Sequence, residues 1–284
     1  MKEIKKYLLI GPGILPLIIL IVYPLILLFI MSFSEVNFEV GGVKYNFIGV
    51  GNFRKILSDE LFLKSFNVTL VFSITCVIVE LFLGLIMALA VIGIKGSTIL
   101  RTVFVMGMML PPVTVALIWR TLLSSDFGIV NYLLTILGFA PVNWLGDHNM
   151  AVLSIIVVDI WHWTGFVFLI IFAGLISLPI EPFEAAKIDG ASSWQTFRFI
   201  TFPLMRSTFL VAGLFRMIDI IQAFPEIWLL TYGGPSFATT ILNILVYLIS
   251  FQWFNWGYAA TVSIIMLILS VTLAVLHFVI GKRK

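Results

Sequence analysis

Glu80, His162, Arg216 and Asp219 stand where an apolar chain can least tolerate them, each near the middle of a long hydrophobic run. A lone Arg or Asp at the centre of a membrane helix costs about 2.5 to 3.5 kcal/mol, so such groups must pair with one another or line a wet cavity. Their neighbours are spaced for both purposes. Asp159, His162, Trp163 and Phe166 recur at i, i+3, i+4 and i+7 and share one helical face. Arg216, Asp219, Gln222 and Glu226 fall within about a third of the circumference of another helix, with Arg216 and Asp219 placed as i,i+3 ion-pair neighbours. Two chemistries fit. In one, Asp159, His162, Trp163, Asp219 and Gln222 line a solute path, with polar groups meeting hydroxyls and the indole stacking on an apolar face. In the other, Glu80, Arg216 and Asp219 form a structural network in which Glu80 neutralises Arg216. No nucleophile stands at a recognisable spacing from a base, and His148, His162 and His277 are too scattered for a metal centre, so no catalytic or metal residue is assigned.

The elements that must hold these groups are membrane helices. Of 284 residues, 61% are hydrophobic and 11% charged, against about 25% charged in an average soluble domain. Uncharged runs of about 20 residues, enough to cross a bilayer core, recur along the chain. Unbroken runs rather than short alternating segments exclude a transmembrane barrel. The expected fold is an all-α membrane protein forming one transmembrane domain, 1–284, with six transmembrane helices at about 8–33, 65–94, 102–122, 150–177, 205–230 and 259–280. Pro111-Pro112 interrupts the third of these. Residues 35–64 read as an external loop, with turns at Gly41-Gly42 and at 49–51, and 124–149 as another loop holding one short helix. The stretch 240–251 is too short to span and reads as an external or re-entrant helix behind the break at Gly233-Gly234-Pro235. The even count keeps both basic ends on one side. Eleven cations, Lys2, Lys5, Lys6, Lys95, Arg101, Lys187, Arg198, Arg206, Lys282, Arg283 and Lys284, then face the cytoplasm against four outside, Lys44, Arg54, Lys55 and Lys64.

On the second span, Thr69, Ser73, Cys76, Glu80 and Gly84 make a small, polar stripe suited to packing helix on helix. Trp119 and Trp161 read as packing residues, and Arg120 as a side chain snorkelling to the outer interface. Cys76 has no partner in the chain for a disulfide.

Between the fourth and fifth spans lies a polar, structured interruption, 181–203. Pro182 suits a first helical turn, and Gly190 sits where a helix end needs a residue tolerant of left-handed backbone. Ser192-Ser193-Trp194-Gln195 reads as a capping box opening a second helix, which Pro203 is expected to stop near Ile200.

The stretch EAAKIDGASSWQTFRFITFP resembles the cytoplasmic EAA loop of permease subunits in binding-protein-dependent ABC importers. Glu184, Ala185, Ala186, Asp189, Gly190, Ala191, Phe197, Ile200 and Pro203 match its pattern, while Ser207 stands where many carbohydrate permeases carry a second proline. PPVTVALIWRTLLSSDFGIVNYLL, VNWLGDHNMA, AGLISLP and LLTYGGPSFATTIL extend the likeness to the carbohydrate-type permeases of maltose, trehalose and glycerol phosphate importers. The resemblance implies a coupling-helix loop seated on a cytoplasmic ATPase dimer through Glu184, Ala185, Ala186, Asp189, Gly190 and Ala191. It also implies a second homologous permease, an extracytoplasmic solute-binding protein that delivers a sugar, and a prokaryotic inner-membrane location with both termini cytoplasmic. No GxxxxGK[ST] loop occurs, so this chain is expected to be no enzyme and to carry no cofactor, with ATP and Mg on the partner ATPase. The cations follow the lipid boundary and do not point to nucleic acid. Intramembrane acids and a histidine also suit a proton-coupled secondary transporter, which predicts inverted repeats that the sequence does not display.

Overall fold

The chain is described from a computed structural model covering residues 2–94 and 96–282, with the side chains of 2–12, 14, 15, 277, 278 and 280–282 left aside. Lys2, Lys5, Lys6, Lys95, Lys282, Arg283 and Lys284, which carry much of the expected cytoplasmic charge, lie outside the described side chains. In chain order the elements are α1 (Lys2–Ser32), strands β1 (Ser34–Glu39) and β2 (Gly42–Phe47), α2 (Gly51–Ser58) and α3 (Glu60–Val91). Then come α4 (Thr98–Met106), extended by a 3-10 turn over Gly107–Met109, α5 (Pro112–Leu122), α6 (Ile129–Ile136), α7 (His148–Ile176), α8 (Glu181–Ile188) and α9 (Ser193–Thr196). A π-helical turn over Phe197–Thr201 leads to α10 (Phe202–Leu204), α11 (Arg206–Ile221), α12 (Pro225–Thr231) and α13 (Leu242–Tyr247), and a second π-helical turn over Leu248–Gln252 precedes α14 (Trp256–Lys282).

Among the described residues, three helices are long and apolar enough to cross a membrane, Glu60–Val91, His148–Ile176 and Trp256–Leu276, or up to five if each of two bent pairs counts once. Both bends fall at prolines. Pro111 takes extended backbone and Pro112 opens α5, so the helix of α4 cannot propagate through them and the axis turns by 96°. Phe224, ahead of Pro225, leaves helical geometry, and α11 turns by 50° into α12. The expected single helical face carrying Arg216, Asp219, Gln222 and Glu226 is therefore divided: Gln222 caps α11 and Glu226 belongs to the first turn of α12.

The chain forms two compact units. One comprises the residues up to Leu63 with Leu242–Ile268. Here the expected loop contains a β-hairpin, β1 pairing antiparallel with β2 from Ser34↔Phe47 to Glu39↔Gly42. The turn needs Gly41 and Gly42, both at positive φ. The buried Asn52 amide donates to the carbonyls of Ser32 and Ser34, and Thr261 Oγ1 donates to Ser32 O, so the helix end, strand and α14 meet at one point. Tyr258 adds a hydroxyl bond to Asp59.

The other unit comprises Lys64–Ile241 with the chain from Leu269 onward. Its centre is α7, capped at its start by Asp147, which accepts from the amides of Asn149 and Met150. Ala88, Val91, Val167, Phe168, Ile171, Leu175, Met205 and Ala212 form its buried apolar core. The stripe on α3 packs as expected: Thr69, Ser73, Cys76 and Glu80 are buried, and a Cβ at Gly84 would meet Val167 Cγ1 at 2.9 Å. Gly165 serves the same purpose toward α4, with the carbonyl of Phe104 2.4 Å from where its Cβ would be. Trp119 and Trp161 pack edge to face at 5.6 Å.

Candidate functional site

Two sites take shape on this second unit, one in the middle of the bundle and one on the 181–205 segment. In the middle, Arg216 is 1% exposed and spends its planar fork on three carboxylates. Nε and Nη2 donate to Glu80 at 2.6 and 2.9 Å, Nη2 to Asp159 at 2.7 Å and Nη1 to Asp219 at 2.6 Å. The ring of Trp163 lies over the guanidinium at 5.1 Å. This is the geometry for which arginine is suited and lysine is not, since several rigid donors meet several acceptors at once.

The predicted groups thus gather, but not on one surface. Glu80 and Asp159 are sealed inside, while the Asp219 side chain is 53% exposed. Asp159 belongs to the ion-pair network, rather than to an open wall. His162 is likewise fully buried: Nδ1 lies 2.9 Å from Glu226 Oε2 and Nε2 lies 3.1 Å from the carbonyl of Leu110. Trp163 is half-buried and Gln222 exposed, so with Asp219 they form the accessible edge of the cluster. Glu226 was legible as an acid in the fifth run, but its role as the partner of His162 depends on the bend at Pro225, which turns it toward α7. The Leu110 carbonyl carries no side-chain signature; the only clue is the following proline pair, which frees it from helical pairing. Arg120, expected to snorkel, instead donates to Leu229 O at 3.1 Å and covers the Tyr232 ring at 4.8 Å, tying α5 to α12. Among the described residues no group of three or more His, Cys, Asp or Glu is placed to hold a metal ion.

The second site is a helix, a turn and a helix. Pro182 stands in the first turn of α8, and Gly190 takes φ +71, reversing the chain. The capping box is complete: Ser192 Oγ accepts from the amide of Gln195 at 3.3 Å, and Gln195 Oε1 accepts from the amide of Ser192 at 2.7 Å. Pro203 does not stop the second helix. Phe202 keeps helical backbone, and the wider π-turn over Phe197–Thr201 lets the helix pass the proline and end at Met205. A notch of about 430 Å³ opens along this module, lined by Ala185, Ala186, Asp189, Gly190, Ala191 and Gln195 among others. Ile188, Trp194 and Phe199 are 86%, 69% and 74% exposed beside it.

Residues 80–284 match the family of binding-protein-dependent transport system inner membrane components. The chain belongs to that family. Among curated relatives, the permease is 35% identical over 242 residues to a trehalose/maltose transport system permease protein, MalF, of Thermococcus litoralis, covering 84% of this chain and 81% of the relative. It is 32% identical over 272 residues to a multiple sugar-binding transport system permease protein, MsmF, of Streptococcus mutans, covering 95% and 93%. Among solved structures it superposes with a TM-score of 0.86, at 24% identity, on a chain of a bacterial ABC transporter importing the acidic polysaccharide alginate, covering 99% of this chain and 98% of that one. That likeness is one of fold.

Proposed function

We propose that this permease is one subunit of an ATP-driven ABC importer and forms half of the translocation pore for a sugar or sugar derivative delivered by an extracytoplasmic binding protein. A second homologous permease completes the pore. A cytoplasmic ATPase dimer, carrying ATP and Mg, supplies the energy, and this chain contributes no catalytic group. The six crossings are α1, α3, α4 with α5, α7, α11 with α12, and α14, set in the inner membrane with both termini cytoplasmic. Trp163, Asp219 and Gln222 present hydroxyl partners and a stacking face to the solute, with Asp159 and His162 fixing them from behind.

The observation that carries the proposal is the 181–205 module. A polar loop between two apolar helices has no reason of its own to be so rigidly capped, nor to expose three large apolar side chains around a notch. Exposed apolar surface rimmed by polar residues suits a protein or membrane contact, and the polar caps of this loop favour a protein. Names of the sugar-permease relatives support the substrate class.

The test is purification of the tagged full-length permease with its natural partners, followed by Gly190→Val. Valine at φ +71 is strained, so membrane insertion should persist while ATPase association or substrate-stimulated ATP hydrolysis fails. Normal transport by Gly190→Val sinks the coupling role. Uptake by the permease with no ATPase bound would favour a secondary transporter.

A further inference from the structure

The segment between α5 and α7 is built inside out. In α6 the apolar residues Ile129, Tyr132, Leu133 and Ile136 recur at i, i+3, i+4 and i+7, and each is more than half exposed, as are Leu137 and Phe139 just beyond the helix. Asn131, on the opposite side, is 5% exposed. A helix facing water presents the reverse, with polar residues outward and apolar ones inward. No charged residue occurs from Phe127 to Gly146, and Asp126 and Asp147 stand at either end of that stretch.

The polar side chains of the segment are spent on its own backbone. Asn131 Nδ2 donates to the carbonyl of Val142 at 2.9 Å, and Oδ1 accepts from the amide of Val142 and from Trp144 Nε1, each at 3.0 Å. Thr135 Oγ1 donates to the carbonyl of Asn131 at 2.6 Å. Asn143 Oδ1 accepts from Ser125 Oγ and from the amide of Gly146, and Ser154 of α7 donates to the carbonyl of Trp144. The non-helical return after α6 thus finds side-chain partners where a loop in water would use solvent. Irregular backbone is tolerated at membrane depth only with internal partners of this kind. The segment also continues the surface of the helix before it. Leu117 of α5, which is exposed, borders the same notch of about 350 Å³ as Phe127 and Leu145, lined also by Arg120, Thr121 and Ser124.

We propose that the 127–146 segment, expected as an external loop, lies in the membrane as an in-plane element whose apolar face meets the acyl chains of outer-leaflet phospholipid. What the face lacks favours lipid over a protein. A protein contact carries a polar rim and hydrogen bonds of its own, and the exposed apolar groups of the 181–205 module do stand among the exposed Glu184, Lys187 and Arg198. Around α6 the Asn and Thr side chains turn inward or back onto the helix, and no charge is present to meet a partner's. Tyr132 and Trp144 are of the two residue types that collect at the headgroup level. The inference rests on the reading of α3, α4 with α5, and α7 as crossings, with this connection on the extracytoplasmic side. It holds whichever solute is carried.

The test places one spin label at a time, through Leu133→Cys, Leu137→Cys, Ile78→Cys or Asp126→Cys, all exposed positions. Cys76 is fully buried and takes no label. The full-length permease, with the subunits that co-purify with it, is set in nanodiscs of phosphatidylcholine and phosphatidylglycerol. Collision with oxygen, which partitions into lipid, is compared with collision with a nickel chelate, which stays in water. Ile78, in the middle of α3, is the lipid reference and Asp126 the aqueous one. Leu133 and Leu137 should match Ile78, rich in oxygen collisions and poor in nickel, while Asp126 shows the opposite. Nickel access at Leu133 and Leu137 equal to that at Asp126 would overturn the proposal and leave the crossings intact. Low access to both reagents would also overturn it, since the face is then covered by a second permease or the binding protein. Nickel access at Ile78 would defeat the reading of the crossings and the proposal with it. If the label at Leu133 prevents assembly, Ile136→Cys reports on the same face.

Discussion

Replacing Arg216 by leucine should damage the fold far more than neutralising its exposed partner Asp219. Arg216 is 1% exposed and compensates Glu80 and Asp159, which are 0% and 4% exposed at their side chains. Its removal strands two buried acids side by side. Breaking a buried pair by deleting one partner costs about 3 to 5 kcal/mol, or roughly two to four orders of magnitude in the folded ratio at 1.36 kcal/mol per tenfold. Asp219→Asn is a different change. Its carboxylate is 53% exposed, where solvent screening holds a pair to about 0 to 1 kcal/mol, and the amide can still accept from Nη1. The assay is the yield of monodisperse protein by fluorescence-detected size exclusion, with a thermal melt of each variant in the same detergent. Arg216→Leu should lose most of the peak, and Asp219→Asn should melt close to the wild type. Adding Glu80→Gln and Asp159→Asn to Arg216→Leu should recover part of the peak, because the stranded charges are gone. Equal melting of Arg216→Leu and the wild type, or equal damage from Asp219→Asn, would refute the idea that the network is held by burial.

Gly165→Ala puts a methyl group where the Phe104 carbonyl lies 2.4 Å away, so α4 must move off α7 at a cost of about 1 to 3 kcal/mol; a melt unchanged from the wild type would contradict the close helix approach. Gln222→Ala should leave assembly and basal ATP hydrolysis intact and reduce uptake, as should its combination with Trp163→Phe, which keeps a ring over Arg216 but shortens the stacking face. Wild-type uptake by that well-assembled double variant would remove the proposed solute edge.

The sequence was most informative where a local rule acts without competition. Gly190 and the Ser192 and Gln195 cap follow from backbone sterics and orphan amides within a few residues, and both formed as expected. Gly84 and the small stripe on α3 were legible because helix periodicity alone sets which residues face a neighbour. The hairpin at 34–47 was missed: Val36, Phe38, Val43 and Tyr45 alternate only briefly, amid charges that read equally well as loop. Pro203 misled because the rule for residues before proline assumes α-helical pairing, which a π-turn relaxes. His162 and Glu226 could not be joined from the sequence, since their meeting depends on the direction in which two proline bends turn, a property of tertiary packing rather than of spacing.

The π-turn over Phe197–Thr201 carries a consequence of its own. Such a turn is the trace of one surplus residue in an otherwise α-helical segment, and each residue advances a helix by about 100°. The angular phase between the notch-bearing turn at Gly190 and α11, which carries Arg216, is therefore written in chain length rather than in any side chain. Point substitutions across these five positions leave that phase alone. Deleting any single residue there swings the notch around the helix axis by over a quarter of a revolution, with every capping bond still made.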